Sequence, residues 1–180
     1  MLQKHLSIVG HNIHNDRVKD DFYPTPIEAT EKLLQVVKLD GDIWECACGD
    51  GAISNVLLQH GYKVYSSDLI DRGFGIGNED FLQSDLRADN IITNPPFKLS
   101  LEFALKALKV VRKKAIFFHK LVFLESQKRH DQLFSLNKLQ QVFVLKKRLP
   151  FKGHKNGGLM CFAWFVFDVN YNGKPTIDWI

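Results

Sequence analysis

From residue 25 onward the chain switches between two hydrophobic periods. Leu33, Leu34 and Val37 recur at helical spacing behind Thr25-Pro26-Ile27-Glu28. There Thr25 can cap a helix, Pro26 fits its first position and Glu28 completes a capping box, which predicts a helix to about Lys38. Asp40-Gly41-Asp42 reads as a turn. Short apolar runs at 43–48, 63–67, 90–93 and 115–119 predict strands, with a weak one near Phe81. Between them, helical patterns cover 52–60, the stripe Leu101, Ala104, Leu105, Leu108 and Val111, and a less regular stretch at 124–136. The runs at 141–145 and 159–167 are β-rich with no helix between them, so they are expected to pair antiparallel as a hairpin at one edge. Strand alternating with helix predicts an α/β fold, a mostly parallel Rossmann-like sheet with helices on both faces. Residues 1–22, with His5, His11 and His14 and no sustained period, read as a flexible arm ahead of a single domain over 23–180.

The chain has 180 residues and is 45% hydrophobic, enough for one domain with a real core. Its longest apolar run, 159–167, is too short to span a bilayer, and its first residues lack the layout of a secretion signal. Cys46, Cys48 and Cys161 are too few for a disulfide framework and form no CxxC zinc motif. A cytoplasmic protein without membrane or metal is expected. Charge is lopsided. Residues 1–97 carry 8 Lys/Arg against 15 Asp/Glu, a net of −7, whereas residues 98–155 carry 15 against 3, a net of +12. Such a basic half suits a polyanionic partner, although solvated lysine faces on surface helices would look the same.

In a sheet of this kind ligands bind beyond the carboxyl ends of the strands. The first strand runs into Glu45-Cys46-Ala47-Cys48-Gly49-Asp50-Gly51, where two glycines let the backbone turn sharply and approach a ligand. Glu45 at the strand end needs a polar or cationic partner. Asp68 closes the next strand 23 residues later, where an acid can accept from a ribose diol. Ser54 replaces the third glycine of a dinucleotide fingerprint and Asp50 would repel a pyrophosphate, so a nucleoside bearing a cationic amine fits better than a dinucleotide. A tight turn in an ordinary αβ unit remains the plain alternative. Further on, Asn94-Pro95-Pro96-Phe97 follows a strand directly. Pro95 drives Asn94 out of helical conformation and the paired rings stiffen the corner, so the Asn94 amide oxygen and the Pro95 carbonyl become two fixed acceptors for an exocyclic amine. Phe97 adds a face for stacking. Cys46 and Cys48 read as small buried hydrophobes, and His119 as a strand-end residue more structural than reactive.

Together these residues resemble class I S-adenosylmethionine-dependent methyltransferases, and among them the adenine-N6 type found in phages and plasmids. The resemblance covers most of the chain. Residues 21–26, with Tyr23, Thr25 and Pro26, resemble the amino-terminal cofactor motif. Glu45, Ala47, Cys48, Gly49 and Gly51 resemble the glycine motif, Asp68-Leu69 the ribose acid and its neighbour, and Asp80-Phe81 the residues beside the cofactor adenine. Asn94, Pro95, Pro96 and Phe97 resemble the catalytic motif, with Asn94 also at the cofactor. The resemblance implies S-adenosyl-L-methionine as methyl donor, S-adenosyl-L-homocysteine as product, and DNA adenine as acceptor, with RNA adenine or a protein glutamine as alternatives and a non-catalytic binding module as the outside case. Between Gly51 and Asn94 there is no room for an inserted target-recognition domain, and little is expected elsewhere. The basic stretch Lys146, Lys147, Arg148, Phe151, Lys152 and Lys155 is the expected nucleic-acid contact, opening on the same edge as Asn94.

Overall fold

The computed structural model describes residues 22–150 and 160–180. The expected arm, apart from Phe22, and Phe151, Lys152 and Lys155 lie outside the described residues.

Pro26, at φ −56°, starts α1 (Ile27–Val36) with no side-chain cap. The expected Thr25–Glu28 capping box is not formed, because the Thr25 hydroxyl accepts instead from Asn94. The turn at Gly41 leads into β1 (Ile43–Glu45), and the glycine loop into α2 (Ala52–Gln59). β2 (Val64–Ser66) and β3 (Ala88–Thr93) follow; a single-turn helix at Phe97–Leu99 leads into α3 (Ser100–Val110) and β4 (Val111–Lys120). The irregular stretch then divides into a turn at Leu121–Leu124, the short α4 (Gln127–Gln132), and a turn at Phe134–Leu136 that ends on left-handed Asn137. It is not one helix from 124 to 136. Most of Gln127–Gln132 is exposed, so no apolar stripe sustains it. β5 (Leu139–Val144), β6 (Phe162–Asp168) and β7 (Thr176–Trp179) complete the chain.

The seven strands run β2-β1-β3-β4-β6-β5-β7. β1 pairs parallel with β2 and β3, β3 with β4, and β5 with β7, while β6 lies antiparallel to β4 and β5. The antiparallel β5–β6 pair is as expected, but it is not the edge, since β7 adds a strand outside it. The expected strand near Phe81 is a turn in which Phe81 packs edge-on to Trp44 at 5.1 Å, and the chain before it meets the end of β2 through the Ile76 N–H, which donates to the Ser66 carbonyl, and the isolated Ser67–Ile76 bridge.

Side-chain alternation along the central strands divides the core between two faces. Ala115, Phe117, Ala163, Phe165 and Phe167 pack toward α3 with Phe103, Phe123 and Leu133. Ile116, Phe118, Trp164 and Val166 pack toward α1 and α2 with Leu33, Ile53 and Leu57. The Trp164 Nε1–H donates to the Ala29 carbonyl at 2.8 Å, which pins α1 to the sheet. Among the described residues no helix is long and apolar enough to cross a membrane.

Candidate active site

β2 lies on one side of β1 and β3 on the other, so the connections leaving the carboxyl ends of β1 and β3 diverge and open a crevice there. A cavity of about 700 Å³ occupies it. Its walls are the glycine loop, the stretch after β2, residues 79–82, Asn94 with Pro96, and residues 22–25.

Glu45 is 2% exposed at the back of this cavity. Its Oε2 accepts from the backbone N–H of Ser54 at 2.7 Å and from the Ser54 hydroxyl, which in turn lies 2.6 Å from the Ser66 hydroxyl. Ser54 is in the first turn of α2, so the partner that the buried acid needs is a helix N-terminus. Burial nevertheless dominates and pushes the carboxyl up to about 8, with the Ser54 bonds pulling it down and Asp68 and Asp50 adding to the rise. Burial also raises both neighbouring thiols, Cys48 to about 12, so neither is a nucleophile at neutral pH.

Gly49 and Gly51 stand at φ +57° and +82°, and a methyl group at Gly49 would run into the Phe22 ring. Only glycine allows this loop and its neighbour to pass so closely. Asp68 ties the loop down. Its Oδ2 accepts from Gly49 N–H at 2.8 Å, and its Oδ1 from Ile70 N–H at 2.9 Å and from Arg72 at 3.1 Å. Arg72 also lies over the Phe22 ring, 4.4 Å from its centroid, and so links the chain before α1 to the strand-end acid. Asp80 accepts from Leu82 N–H through Oδ1, and Glu79 from Tyr65 and Ser84. Asp50, Asp68, Glu79 and Asp80 line the cavity against Arg72 and Lys98, a balance that favours a cationic ligand.

At the other end is the proline corner. The Asn94 Nδ2 donates to the Tyr23 carbonyl and to the Thr25 hydroxyl, each at 3.0 Å. Both amide hydrogens are therefore committed, which fixes the amide plane and leaves Oδ1 as its acceptor at the cavity wall. Pro95 is buried behind it, and Pro96 lines the cavity. Phe97 lies beyond the wall in an aromatic group, with Tyr23 at 5.9 Å, His119 at 5.6 Å and Phe162 at 6.2 Å. His119 stacks on Phe123 at 4.5 Å. Burial, with Arg129 and Lys120 nearby, pushes its pKa down to about 3, so it is neutral.

The cavity thus brings together Tyr23, Thr25, Glu45, Ala47, Cys48, Gly49, Asp68, Leu69, Asp80, Phe81 and Asn94. Pro26, Gly51, Pro95 and Phe97 are not on its wall; Pro26 instead borders a small basic hollow of about 110 Å³ with Lys146, Lys147, Arg148 and Phe162. Sequence reasoning missed Arg72 and Glu79 as wall residues and the tether from Thr25 to Asn94. These depend on contacts across the chain that no local pattern encodes.

No protein-family model matches the chain and no curated protein matches its sequence. Its fold is similar to several solved structures. One, from Vibrio vulnificus, is described as a modification subunit of a type I restriction enzyme; it superposes with a TM-score of 0.64 at 15% identity over 88% of this chain and 47% of its own. The present chain thus spans about half the length of that subunit. A second, from Listeria monocytogenes, is described as a class I S-adenosylmethionine-dependent methyltransferase, with a TM-score of 0.60 at 12% identity over 86% of this chain and 62% of its own. A third, from Pyrococcus horikoshii, is described as an RNA methyltransferase, with a TM-score of 0.60 at 21% identity over 83% and 87%. With its strand order, its crevice at the switch point and these likenesses, the chain carries the Rossmann-like fold of the class I methyltransferases.

Proposed function

We propose that the protein transfers a methyl group from S-adenosylmethionine to the exocyclic N6 amine of adenine in DNA. The observation that carries this proposal is the double tether of Asn94, which turns an amide that could face either way into an oriented acceptor. The cavity fits the donor chemically. Gly49 brings loop backbone to the cavity wall, Asp68 retains acceptor capacity for a ribose diol, and the surrounding carboxylates suit a ligand with sulfonium and ammonium charges.

S-adenosylmethionine, when bound, supplies a methyl group on a positively charged sulfur and leaves as S-adenosylhomocysteine. The chain's own residues do the rest. An aromatic amine is a poor nucleophile because its lone pair is delocalised into the ring. Asn94 Oδ1 and the Pro95 carbonyl, accepting one hydrogen each, draw the nitrogen toward tetrahedral geometry and stabilise the positive charge that builds on it. Neither oxygen is a base, so the proton released from the methylated amine passes to water. Phe97 holds the ring plane. A stacked duplex base cannot reach this corner, so the target flips out or arrives single-stranded. Lys146, Lys147 and Arg148, which line the hollow beside Phe162, are the residues assigned here to the phosphate backbone.

The test is methyl transfer from labelled donor to separate DNA, RNA and protein pools. Label is expected in DNA and, after digestion, in N6-methyladenine. Asn94→Ala should abolish it even at saturating donor. Label in RNA or protein alone, or an undiminished rate in Asn94→Ala, overturns the proposal.

A further inference from the structure

The back of the cavity carries a buried acid, and among the described residues no cation pairs with it. Glu45 is 2% exposed, yet it lines the cavity. Both hydrogen bonds it accepts come from Ser54, one from the backbone N–H at 2.7 Å and one from the hydroxyl, and both fall on Oε2. Oε1 receives none among the described residues. The elements around Glu45 add no positive charge. Its own segment contributes Cys46 and Cys48, whose thiols burial keeps protonated. α2 contributes Ser54 and has no ionisable side chain. β2 brings Ser66 and leads to Asp68, while the glycine loop adds Asp50, and both acids oppose another negative charge at Glu45. Asp89, the ionisable residue of β3, lies toward the opposite end of that strand and pairs with Arg112. The rest of the wall adds Tyr23, Glu79 and Asp80. Of the two wall cations, Arg72 donates to Asp68 at 3.1 Å and Lys98 is exposed.

A carboxylate buried among other acids is high in free energy, and the carboxyl that keeps its proton is the lower state. That order reverses when a positive charge comes within a few ångströms, because the ion pair favours the ionised form. The geometry points to Glu45 as the residue by which the cavity selects its ligand on charge: it holds a proton in the free chain and releases it to water when the positive charge of the donor comes against it. This inference rests on the S-adenosylmethionine reading above and adds the means by which an uncharged nucleoside is bound more weakly. In the exchange one O–H bond of the carboxyl breaks, its electron pair stays on oxygen, and the proton leaves to solvent. The Ser54 N–H and hydroxyl are on Oε2 beforehand, so the ionised form finds its helix N-terminus in place. An uncharged nucleoside brings nothing to replace the proton and meets a neutral carboxyl.

The experiment is titration calorimetry of the full chain with S-adenosylmethionine, S-adenosylhomocysteine and 5′-methylthioadenosine, each in phosphate and in Tris near neutral pH. The difference in heat between buffers of unlike ionisation enthalpy counts the protons released. With Glu45 protonated up to about 8 in the free chain, S-adenosylmethionine is expected to release about 0.9 proton at about pH 7. Its affinity should rise about fiftyfold from about pH 6 to about pH 8, and by less than about twofold over the next unit. 5′-Methylthioadenosine carries neither sulfonium nor ammonium and should release none. S-adenosylhomocysteine keeps the ammonium alone, so release with it assigns the exchange to the ammonium, and release with the donor only assigns it to the sulfonium. In Glu45→Gln the release should vanish and donor affinity should be level across this range, meeting that of the unaltered protein at its acid end. Should that variant fail to fold, the comparison of ligands on the unaltered protein still decides. Donor binding without proton release, equal release by 5′-methylthioadenosine, or undiminished release in folded Glu45→Gln overturns the charge selection while leaving the proposed function standing. A chain that binds no donor at any pH overturns both.

Discussion

Removing the Thr25 hydroxyl is the smallest change that should disable Asn94 without touching it. Thr25 is 5% exposed, and its hydroxyl accepts one of the two Asn94 amide hydrogens at 3.0 Å; the Tyr23 carbonyl takes the other. Valine preserves the volume and shape of threonine but offers no acceptor. One N–H of Asn94 is then left unsatisfied in a partly buried place, a penalty of about 1–3 kcal/mol. The amide escapes that penalty by rotating, and a rotated amide presents hydrogens to the incoming amine where the oxygen should be. If the penalty falls on the aligned state, the methyl-transfer rate drops roughly 5- to 150-fold. Single-turnover transfer from labelled donor, with both substrates saturating, measures this directly. Thr25→Val should lower the rate while donor affinity and nucleic-acid KM stay within about twofold, because the missing interaction orients the catalytic oxygen rather than binding substrate. Thr25→Ser, which restores the hydroxyl, should recover most of the rate. Full activity in Thr25→Val would refute the orientation argument. Equal losses in the valine and serine variants would refute it too, since packing would then be the cause.

Three other perturbations follow from the same geometry. Glu45 keeps its proton to about 8 in the folded chain against an ordinary value of 4.5, so its share of stability is complete below that ordinary value and is lost as pH rises to about 8. Glu45→Gln should therefore flatten the melting temperature over that window and stabilise the protein at its upper end, with a ceiling of about 5 kcal/mol at about 1.36 kcal/mol per pKa unit; parallel profiles for the two proteins would contradict this. Gly49→Ala forces a left-handed residue with a side chain, at about 1–2 kcal/mol, and drives a methyl into Phe22. Calorimetry should show donor binding abolished or weakened far more than the melting temperature, and undiminished binding would remove the loop from the donor site. Neutralising Lys146, Lys147 and Arg148 together should lower the salt slope of DNA binding by about 0.9 for each phosphate that these side chains no longer neutralise. An unaltered slope would take this segment out of the interface.

How much of the fold could be read beforehand depended on whether a segment has a buried face. In β4, Ala115 and Phe117 face one layer and Ile116 and Phe118 the other, so the run is apolar throughout and its strand character is plain. The α3 stripe is equally visible, because Leu101, Ala104, Leu105 and Leu108 repeat at helical spacing against the sheet, although Val111, read as its last member, begins β4 instead. β7 has no such signature. All four of its residues are exposed, and it is held by backbone pairing with β5 and by the buried terminal Ile180. Nothing in Thr-Ile-Asp-Trp distinguishes that from a loop. The turn around Phe81 misled in the opposite sense: a buried aromatic looks like a strand residue, but here it plugs the space between Trp44 and Phe103.

The candidate site divides along a similar line. Backbone requirements leave local marks, and so the glycines at positive φ and the double proline could be located in the chain. Tethers between ordinary side chains leave none: Thr25 reaches Asn94 across 69 positions, and Lys120 reaches Phe97 across a strand and a helix. Ser54 is the instructive case between the two. It stands where a dinucleotide fingerprint has its third glycine, and from the sequence that substitution counts only as a departure. In the folded chain its N–H and hydroxyl are both spent on Glu45. A helix N-terminus is ordinarily an anion site because its first N–H groups point outward unpaired. α2 directs one of these donors onto the internal Glu45 carboxyl, while Asp50 sits on the loop above and Asp68 takes the Gly49 N–H. The loop's capacity for a phosphate is thus consumed from within, and what remains is a set of acceptors. The same residues that weaken the dinucleotide reading therefore prepare the cavity for a ligand rich in donors and positive charge.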